Sequence, residues 1–516
     1  MSRYTQIHEL IDRRLEQERG TIHKHGPLQV ALVYPSPYRI GMSSLGYQVM
    51  YGLLNARPDT VCERAFLPDD VQAWRKLGAP LLTYESRRPV GGFDVVAFSL
   101  AYELELPGLF ECLELSGIPL LASARGERDP LVVIGGPLTF SNPVPAAPFA
   151  DLIIMGEGEG AIQPVLDAVG SGEPKARLLT RLSTEPSGYY VPSVHGDAMT
   201  PVAKAADDTL PAASVILTPE TELSNMHLVE AERGCHRACS FCVMRRSTNG
   251  GMRLASVERV LETIPEYAPK VGLVGAAVSD HPQLVPLVRA IVERGLQVSL
   301  SSLRADRMTP ELVELLAAGG YRTLTVASDG ASERLRRMMM KNIREKHLRR
   351  TAELVRESGL RQLKMYMMVG VPNETDDDID ELIAFARDLS SVCSVSMGIA
   401  PFVAKRNTPL DRQPFAGIKP VEARLKRLRK GLQGKVDLRS TSARWAWVEY
   451  CLAQGGSEMG MAALDAWRGG GRFGAWKRAI KAHGGPPQPT APPPVIPQSR
   501  AERIALHRQD RALSGR

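Results

Sequence analysis

The segment that decides the fold is ERGCHRACSFC, residues 232–242, which carries Cys235, Cys239 and Cys242 within eight positions. Four other cysteines are isolated in the sequence: Cys62, Cys112, Cys393 and Cys451. Iron–sulfur clusters are held by Cys thiolates, normally one for each iron, so three thiolates on a 4Fe-4S cluster leave one iron open to an outside ligand. The spacing therefore predicts a cluster site whose iron ligands are Cys235, Cys239 and Cys242.

Two other interpretations of this cysteine segment remain open. One is a zinc site completed by His236 or by a distant fourth ligand, although structural zinc normally takes four ligands or a repeated CxxC pair. The other is three unliganded cysteines in a core.

The chain that follows the cysteine segment alternates between short apolar runs and amphipathic stretches. The runs predict strands at 228–230, 271–276, 298–303, 323–327, 364–369 and 395–400. The stretches between them predict helices at 257–266, 282–294, 310–318, 344–358 and 375–389. Six such units predict a partial (β/α)6 barrel of the TIM type, with its chemistry at the carboxyl ends of the strands.

A separate α/β pattern precedes the cysteine segment. Apolar runs at 30–34, 95–100, 131–134 and 152–155 are typical of a buried parallel sheet. Glycine-rich turns at 135–137 and 156–159 follow two of these runs, at the edge where such sheets form ligand crevices. The pattern predicts a doubly wound, Rossmann-like parallel sheet.

Six segments are expected along the chain. They are an N-terminal helix or arm at 1–27, the sheet domain at 28–170, a linker at 171–225, the barrel at 226–418, a basic α-helical extension at 419–482, and a Pro-rich linker with a disordered basic tail at 483–516.

Composition narrows the setting of a 516-residue chain with formal net charge +7. Residues 419–516 hold 19 Lys and Arg against 7 Asp and Glu, so a nucleic-acid partner is expected only through this region. Its tryptophans would stack on bases or form a small helical core. Sparse cysteines, the lack of a signal-like N-terminus and the lack of a long apolar run predict a cytoplasmic protein without membrane contact.

The CxxxCxxC pattern, with Phe241 before the third cysteine, resembles the signature of radical S-adenosylmethionine (radical SAM) enzymes. The resemblance implies that the open iron of the 4Fe-4S cluster chelates the amino and carboxylate groups of S-adenosylmethionine. One-electron reduction, from a donor such as flavodoxin or ferredoxin, would then cleave S-adenosylmethionine to a 5′-deoxyadenosyl radical.

The same resemblance implies further contacts to S-adenosylmethionine after the later strands. Gly275 and Ala276 occupy the place of the Gly-rich segment that contacts the methionyl amino group, although the usual acidic residue is absent. Ser302 would serve the ribose and Arg304 the carboxylate, with a surface ion pair as the alternative for Arg304. Ser328 and Gly370 follow the fourth and fifth strands, and Thr375 is expected to cap the next helix.

The N-terminal region resembles the cobalamin-binding domain of one radical SAM subgroup, through VALVYPSPYRIGMSSLGYQVM, GGFDVVAFSLAYELE, VVIGGPLTFSNPVP and FADLIIMGEGEGAI. The residues implied to contact a corrin are Ser36, Gly41, Ser44, Gly46, Ser99, Gly135, Gly136 and Gly156. There is no DxHxxG motif to supply a cobalt ligand. The alternative is a sheet domain that binds no corrin and covers the barrel mouth.

Together these features predict a radical SAM enzyme that carries out cobalamin-dependent C-methylation of an unidentified substrate. A radical cyclase, mutase or oxidoreductase without methyl transfer is the alternative, and a non-catalytic iron–sulfur binding protein is a further one. Residues 401–410, PFVAKRNTPL, also resemble a methylthiotransferase segment. Only Cys62 and Cys112 lie in the N-terminal region, so a second cluster is not expected.

Overall fold

Two structural units make up the chain in the computed structural model, which describes residues 4–244, 251–301, 303–495, Glu502 and Ala505. Unit 1 comprises Met1–Leu228 and Gly455–Pro486, and unit 2 comprises Val229–Gln454 and Pro487–Arg516. None of the helices in the described part of the chain combines the length and apolar character that a membrane crossing requires.

Unit 1 is built around a six-stranded sheet in the order β2-β1-β3-β4-β5-β6. The strands are β1 (Leu28–Tyr34), β2 (Thr60–Phe66), β3 (Val95–Ser99), β4 (Leu131–Gly135), β5 (Leu152–Ile154) and β6 (Tyr189–Tyr190). Strands β1 to β5 pair in parallel and β6 pairs antiparallel with β5. The strand order reverses between β1 and β3, which is where a doubly wound sheet opens a crevice beyond its carboxyl ends. The predicted parallel sheet is confirmed.

Helices flank this sheet and complete its core. They are α1 (Thr5–Gln17), α2 (Tyr38–Gly41), α3 (Leu45–Ala56), α4 (Val71–Leu77), α5 (Leu106–Leu115), α6 (Gly158–Gly170), α7 (Lys175–Ser183) and α8 (Pro192–His195). Ile7 and Ile11 of α1 are buried in the same cluster as the sheet residues Val30 and Leu32. Burying such apolar side chains is the main favourable term that holds α1 to the sheet.

The predicted linker at 171–225 is wrong as an irregular connection, because it contains α7, α8 and strand β6. Leu178 and Leu182 lie one turn apart on α7 and are buried, which anchors the helix. Pro192 occupies the first turn of α8, a position that lacks an intrahelical donor in any case. The prolines in this stretch therefore begin helices as well as interrupt them.

Unit 2 contains a three-stranded sheet in the order β11-β10-β7, a four-stranded sheet in the order β12-β13-β14-β15, and the two-stranded ribbon β8-β9. The strands are β7 (Met226–Glu230), β8 (Glu232–Gly234), β9 (Met252–Leu254), β10 (Lys270–Val274), β11 (Gln297–Leu300), β12 (Thr323–Asp329), β13 (Gln362–Val369), β14 (Val395–Pro401) and β15 (Asp437–Ser440). Strands β12 to β15 pair in parallel, as do β10 and β11. All six predicted barrel strands are present.

Helices of unit 2 follow most of these strands. They are α9 (Val257–Glu262), α10 (Leu284–Glu293), α11 (Pro310–Ala318), α12 (Glu333–Met338), α13 (Glu345–Glu357), α14 (Asp376–Val392), α15 (Ile418–Leu432) and α16 (Ala443–Gln454). Thr375 caps α14 as predicted: its amide donates to Asp378 Oδ2 at 2.8 Å in a capping box. The helix begins where the chain leaves the carboxyl end of β13.

The predicted helical extension at 419–482 needs correction, because it includes a strand and divides between the units. Strand β15 pairs in parallel with β14 and adds an edge strand to the barrel sheet. Its sequence, DLRS, has no apolar run because an edge strand buries little of either face. The last helices, α17 (Ser457–Arg468) and α18 (Phe473–Ala482), belong to unit 1, where Trp476 is buried.

Candidate functional site

The three cysteines lie on one loop that leaves β8 and is fixed from both sides. Strand β8 pairs antiparallel with β9, and the chain then turns through Cys235. The Cys242 amide donates to the Cys239 carbonyl at 3.2 Å, which curls the loop. The Ser240 amide donates to the Met339 carbonyl at 3.0 Å, and the Ser240 carbonyl accepts from the Leu410 amide at 3.1 Å. The loop is therefore held by the segment after α12 and by the segment before α15.

The three thiols are free and interact electrostatically with one another. Burial raises the pKa of each thiol, that of Cys242 to about 11, and the neighbouring sulfurs add to the effect at Cys235 and Cys242. Within the described residues no three His, Cys, Asp or Glu side chains lie close enough to hold a single metal ion. A cubane cluster makes a different demand, because each thiolate binds a separate iron, which deprotonates it. Three convergent thiols therefore fit a cluster in their chemistry.

A buried carboxylate follows the second barrel strand and anchors the cysteine loop. Asp280 accepts from Arg237 Nε at 2.7 Å and from a second Arg237 nitrogen, and it accepts from Arg307 Nε at 2.8 Å. Burial would raise the pKa of Asp280, but Arg237 and Arg307 together hold it below its usual value. Because Arg237 lies between Cys235 and Cys239, this ion pair fixes the middle of the loop.

Glu232, just before the cysteine loop, lies against the segment that follows β10. Its Oε1 accepts from the Ala277 amide at 2.6 Å, whereas its Oε2 is buried and has no hydrogen-bond partner among the described residues. A Cβ at Gly275 would come within 2.2 Å of Glu232 Oε1, so glycine is needed for this approach. Burial raises the pKa of Glu232 to about 7. The acidic residue that the sequence of the Gly-rich segment lacks is thus supplied by Glu232, from strand β8.

Lys341 connects the cysteine loop to the fourth barrel strand. Its Nζ lies 2.6 Å from Asp329 Oδ2, with both side chains largely buried. Its charge acts on the Cys239 thiol, and so does that of Arg304. Arg304 is buried and pairs with Asp306 through Nε at 3.0 Å. The predicted alternative of an ion pair for Arg304 is therefore observed, although the guanidinium is not on the surface.

The remaining predicted S-adenosylmethionine residues differ in where they lie. Ser328 is buried on the face of β12 opposite Asp329, and its Oγ lies 3.5 Å from Arg336 Nη1, so it is directed away from the loop. Gly370 has φ +78°, and its amide donates to Glu374 Oε1 at 2.8 Å. Gly370 therefore has a structural role in the turn that follows β13. Ala276 is half-buried beside Gly275. Ser302 lies outside the described residues.

Several of the predicted corrin contacts in unit 1 are explained by internal packing. A Cβ at Gly41 would meet the Phe66 ring at 2.6 Å, and one at Gly136 or Gly156 would meet a backbone oxygen at 2.6 Å. Ser44 caps α3. These four residues have structural roles whether or not a corrin binds.

The other predicted contacts leave room at the carboxyl ends of the strands. A Cβ at Gly46 or Gly135 would meet nothing within 4 Å. Ser36 donates to Glu105 Oε1 at 3.2 Å beyond β1, and Ser99 ends β3 half-buried. Gly46 lies in the first turn of α3 and Gly135 ends β4, so at these two positions the backbone is accessible to a ligand. No histidine occurs in residues 28–194, so this stretch offers no imidazole to cobalt.

Family models match both units. Residues 229–386 match the model of the radical SAM superfamily, over the segment that carries the cysteine loop, the ribbon β8-β9 and the barrel strands β10 to β13. The chain belongs to the radical SAM superfamily. Residues 46–192 match the model described as the N-terminal region of radical SAM proteins, so this radical SAM enzyme resembles known members through both units.

Two curated relatives and one solved structure give the range of similarity. An uncharacterized protein of Methanocaldococcus jannaschii is 27% identical over 401 residues, covering 75% of this chain and 80% of the relative. An uncharacterized methyltransferase of Pyrococcus horikoshii is 26% identical over 272 residues, covering 50% of this chain and only 58% of the relative. The apo structure of the cobalamin-dependent S-adenosylmethionine radical enzyme OxsB aligns with a TM-score of 0.50 at 13% identity, covering 95% of this chain and 71% of that one. This last likeness supports the fold alone.

Sequence reasoning missed Glu232, Asp280 and Lys341 as part of the site. Glu232 was visible in the motif itself, as an acidic residue three positions before Cys235. Asp280 and Lys341 carried no local signal, because the loops that bring them to the cysteines meet only in the folded unit.

Proposed function

We propose that Cys235, Cys239 and Cys242 hold a 4Fe-4S cluster and that this enzyme binds S-adenosylmethionine at its open iron. When bound, the cluster supplies one electron, received from a reductant such as flavodoxin or ferredoxin, to break the sulfur–C5′ bond. The observation that carries the proposal is three mutually interacting thiols on one anchored loop, beside a buried carboxylate oxygen that no described residue partners.

The residues around the loop have separate tasks in this proposal. Glu232 Oε2 accepts a hydrogen bond from the methionyl ammonium, since its other oxygen is held by the Ala277 amide. Gly275 keeps the backbone close to that carboxylate. Arg304, buried near Cys239, offers a guanidinium for the methionyl carboxylate. Asp280 positions the loop through Arg237 and touches no substrate.

For the reaction itself we propose cobalamin-dependent C-methylation of a small substrate. The switch point between β1 and β3, the open positions at Gly46 and Gly135, and the hydroxyls of Ser36 and Ser99 support a corrin in unit 1. When bound, cobalamin would supply the methyl group, and the 5′-deoxyadenosyl radical formed in unit 2 would take a hydrogen atom from the substrate carbon that receives it. The Pyrococcus relative is named a methyltransferase, and OxsB is described as cobalamin-dependent, which agrees with this reading.

A radical rearrangement or oxidation without methyl transfer is the second candidate. It is favoured by the packing roles of Gly41, Gly136 and Gly156, which account for these glycines without any ligand. The absence of histidine from residues 28–194 points the same way.

Anaerobic reconstitution of the full chain tests the cluster proposal. Wild type should bind about four irons per chain and convert S-adenosylmethionine to 5′-deoxyadenosine with dithionite. Cys239→Ala should lose most of the iron and all cleavage, whereas the control Cys393→Ala, at a half-buried cysteine outside the loop, should behave as wild type. Equal iron content in wild type and Cys239→Ala, without cleavage in either, would overturn the proposal.

Spectroscopy of bound corrin separates the two candidate reactions. Protein incubated with hydroxocobalamin and desalted should keep a visible corrin spectrum, and Gly135→Phe should reduce the amount retained because a ring then fills an open position. Complete loss of corrin from wild type would rule out the methylation reading and favour the second candidate.

A further inference from the structure

The inner face of the four-stranded sheet in unit 2 borders a cavity of about 740 Å³. Side chains alternate along each strand, and the face toward the helices is apolar, with Leu363, Met365 and Val369 buried on β13. The opposite face lines the cavity and carries the polar side chains of Thr325, Lys364 and Ser396 among apolar ones. A cavity of this volume is in the range of small-molecule sites.

Lys364 lies at the centre of the polar row across this face. In the parallel register it stands between Thr325 and Ser396, and Ser396 is followed by Asp437. The other charges in the cavity are paired: Asp329 with Lys341 at 2.6 Å, and Asp437 with Arg439 at 3.5 Å. Among the described residues, Lys364 has no carboxylate partner. An ammonium group flanked by two hydroxyls and lacking a counter-charge is complementary to an anion.

Tyr366 supplies an aromatic surface beside that ammonium. Its neighbours in the next row are Ala327 and Gly398, the smallest residues available. A Cβ at Gly398 would come within 2.9 Å of the Tyr366 ring, so glycine allows the ring to lie close to the sheet. Tyr366 is 46% exposed, and Lys364 Nζ lies 4.9 Å from its ring centroid. The exposed ring face can therefore stack on a planar group whose acidic substituent reaches Lys364.

One residue that lines the cavity takes part in an ion pair next to the cysteine loop. Asp329 lines the cavity at the carboxyl terminus of β12, and Asp329 pairs with Lys341, whose charge acts on Cys239. A ligand bound at Lys364 and Tyr366 thus shares a cavity with Asp329, the partner of the lysine that acts on Cys239.

We propose that this cavity binds the substrate and that the substrate is a small aromatic acid, with its carboxylate or phosphate on Lys364 and its ring on Tyr366. This inference rests on the proposed radical chemistry only for calling the ligand a substrate. The binding itself depends on the sheet face.

Binding of simple probes to the reconstituted full-length protein tests the charge and the ring separately. The probes are benzoate, phenyl phosphate, benzylamine and cyclohexanecarboxylate, with dissociation constants from ligand-observed NMR titrations. We expect at least one of the two aromatic acids to bind about tenfold more tightly than benzylamine, or about 1.4 kcal/mol, and more tightly than cyclohexanecarboxylate. The preference between benzoate and phenyl phosphate identifies the acidic group.

Variants then locate the site. Lys364→Met should weaken the favoured acid about tenfold, whereas Lys346→Met, an exposed lysine on α13 outside the cavity, should leave it unchanged. Tyr366→Leu should weaken the aromatic acid more than cyclohexanecarboxylate, and circular dichroism checks the fold. Benzylamine binding as tightly as both acids, or equal effects of Lys364→Met and Lys346→Met, would overturn the inference.

Cleavage of S-adenosylmethionine, measured on the same preparations, keeps the two proposals distinguishable. Cleavage without acid binding refutes only the substrate class. Acid binding without cleavage refutes the proposed function and leaves a binding site that is not a substrate site.

Discussion

Glu232→Gln is the substitution that most sharply separates a ligand-binding role from a structural one. The glutamine side chain keeps an oxygen that can accept from the Ala277 backbone N–H, as Glu232 Oε1 does at 2.6 Å in the wild type. It replaces Oε2, which has no partner among the described residues, with an NH2 group. A donor then faces the methionyl ammonium where an acceptor stood. Hydrogen bonds to charged groups contribute about 1.5–3 kcal/mol, so we expect the dissociation constant for S-adenosylmethionine to rise roughly 10- to 100-fold.

Equilibrium dialysis of the reconstituted protein with labelled S-adenosylmethionine measures this effect. A deaminated analogue, which lacks the ammonium group, should bind wild type and Glu232→Gln within about threefold of each other, because the lost interaction is absent in both cases. The denaturation midpoint should change little, since the bond to Ala277 is retained. Equal loss of affinity for both ligands, or no loss for either, would refute the reasoning.

Three other predictions concern stability, measured by urea unfolding. Asp329→Asn should cost about 3–5 kcal/mol, because it leaves the Lys341 ammonium buried without its carboxylate. Gly136→Ala should cost about 1–3 kcal/mol, since Gly136 has φ +101° and a Cβ would meet a backbone oxygen at 2.6 Å, whereas Gly135→Ala, in open space, should stay within about 0.5 kcal/mol. Burial lowers the pKa of His227 from 6.5 to about 4, so the unfolded chain takes up a proton at this residue before the folded chain does, and the free energy of unfolding falls by about 3 kcal/mol between pH 6.5 and pH 4. His227→Gln should reduce this dependence of the unfolding free energy on pH, and an unchanged dependence contradicts the assignment.

Apolar runs were enough to predict β1, β3, β4, β5 and the six barrel strands. Strand β14, for example, has the mainly apolar sequence VSMGIAP and lies where the sequence predicted a strand. The runs missed β2, which is buried throughout but carries Glu63 and Arg64 in the middle of its sequence. Strand β15 was missed because an edge strand with charged, half-exposed side chains leaves no apolar signal. Helix α7 was missed because nearby prolines suggested an irregular chain, although Leu178 and Leu182 have helical spacing.

For the candidate site, the sequence predicted the groups that lie within one motif and missed those that meet through folding. The three cysteines are close in the chain, so their spacing was readable. Ser328 was predicted from its position after the fourth strand, but one residue along a strand reverses the face, and Asp329 lines the cavity instead. The ion pair of Asp329 with Lys341 depends on a turn that no local pattern indicates.

Electron–nuclear double resonance of the reduced protein tests the central claim most directly, because it detects whether S-adenosylmethionine binds to the cluster held by the cysteine loop. Wild type with S-adenosylmethionine carrying 15N in its amino group should show a 15N coupling to the cluster that is absent with unlabelled ligand. A reduced cluster that binds S-adenosylmethionine by dialysis, yet shows no such coupling, would contradict the account of Cys235, Cys239 and Cys242 as a three-thiolate site with an open iron.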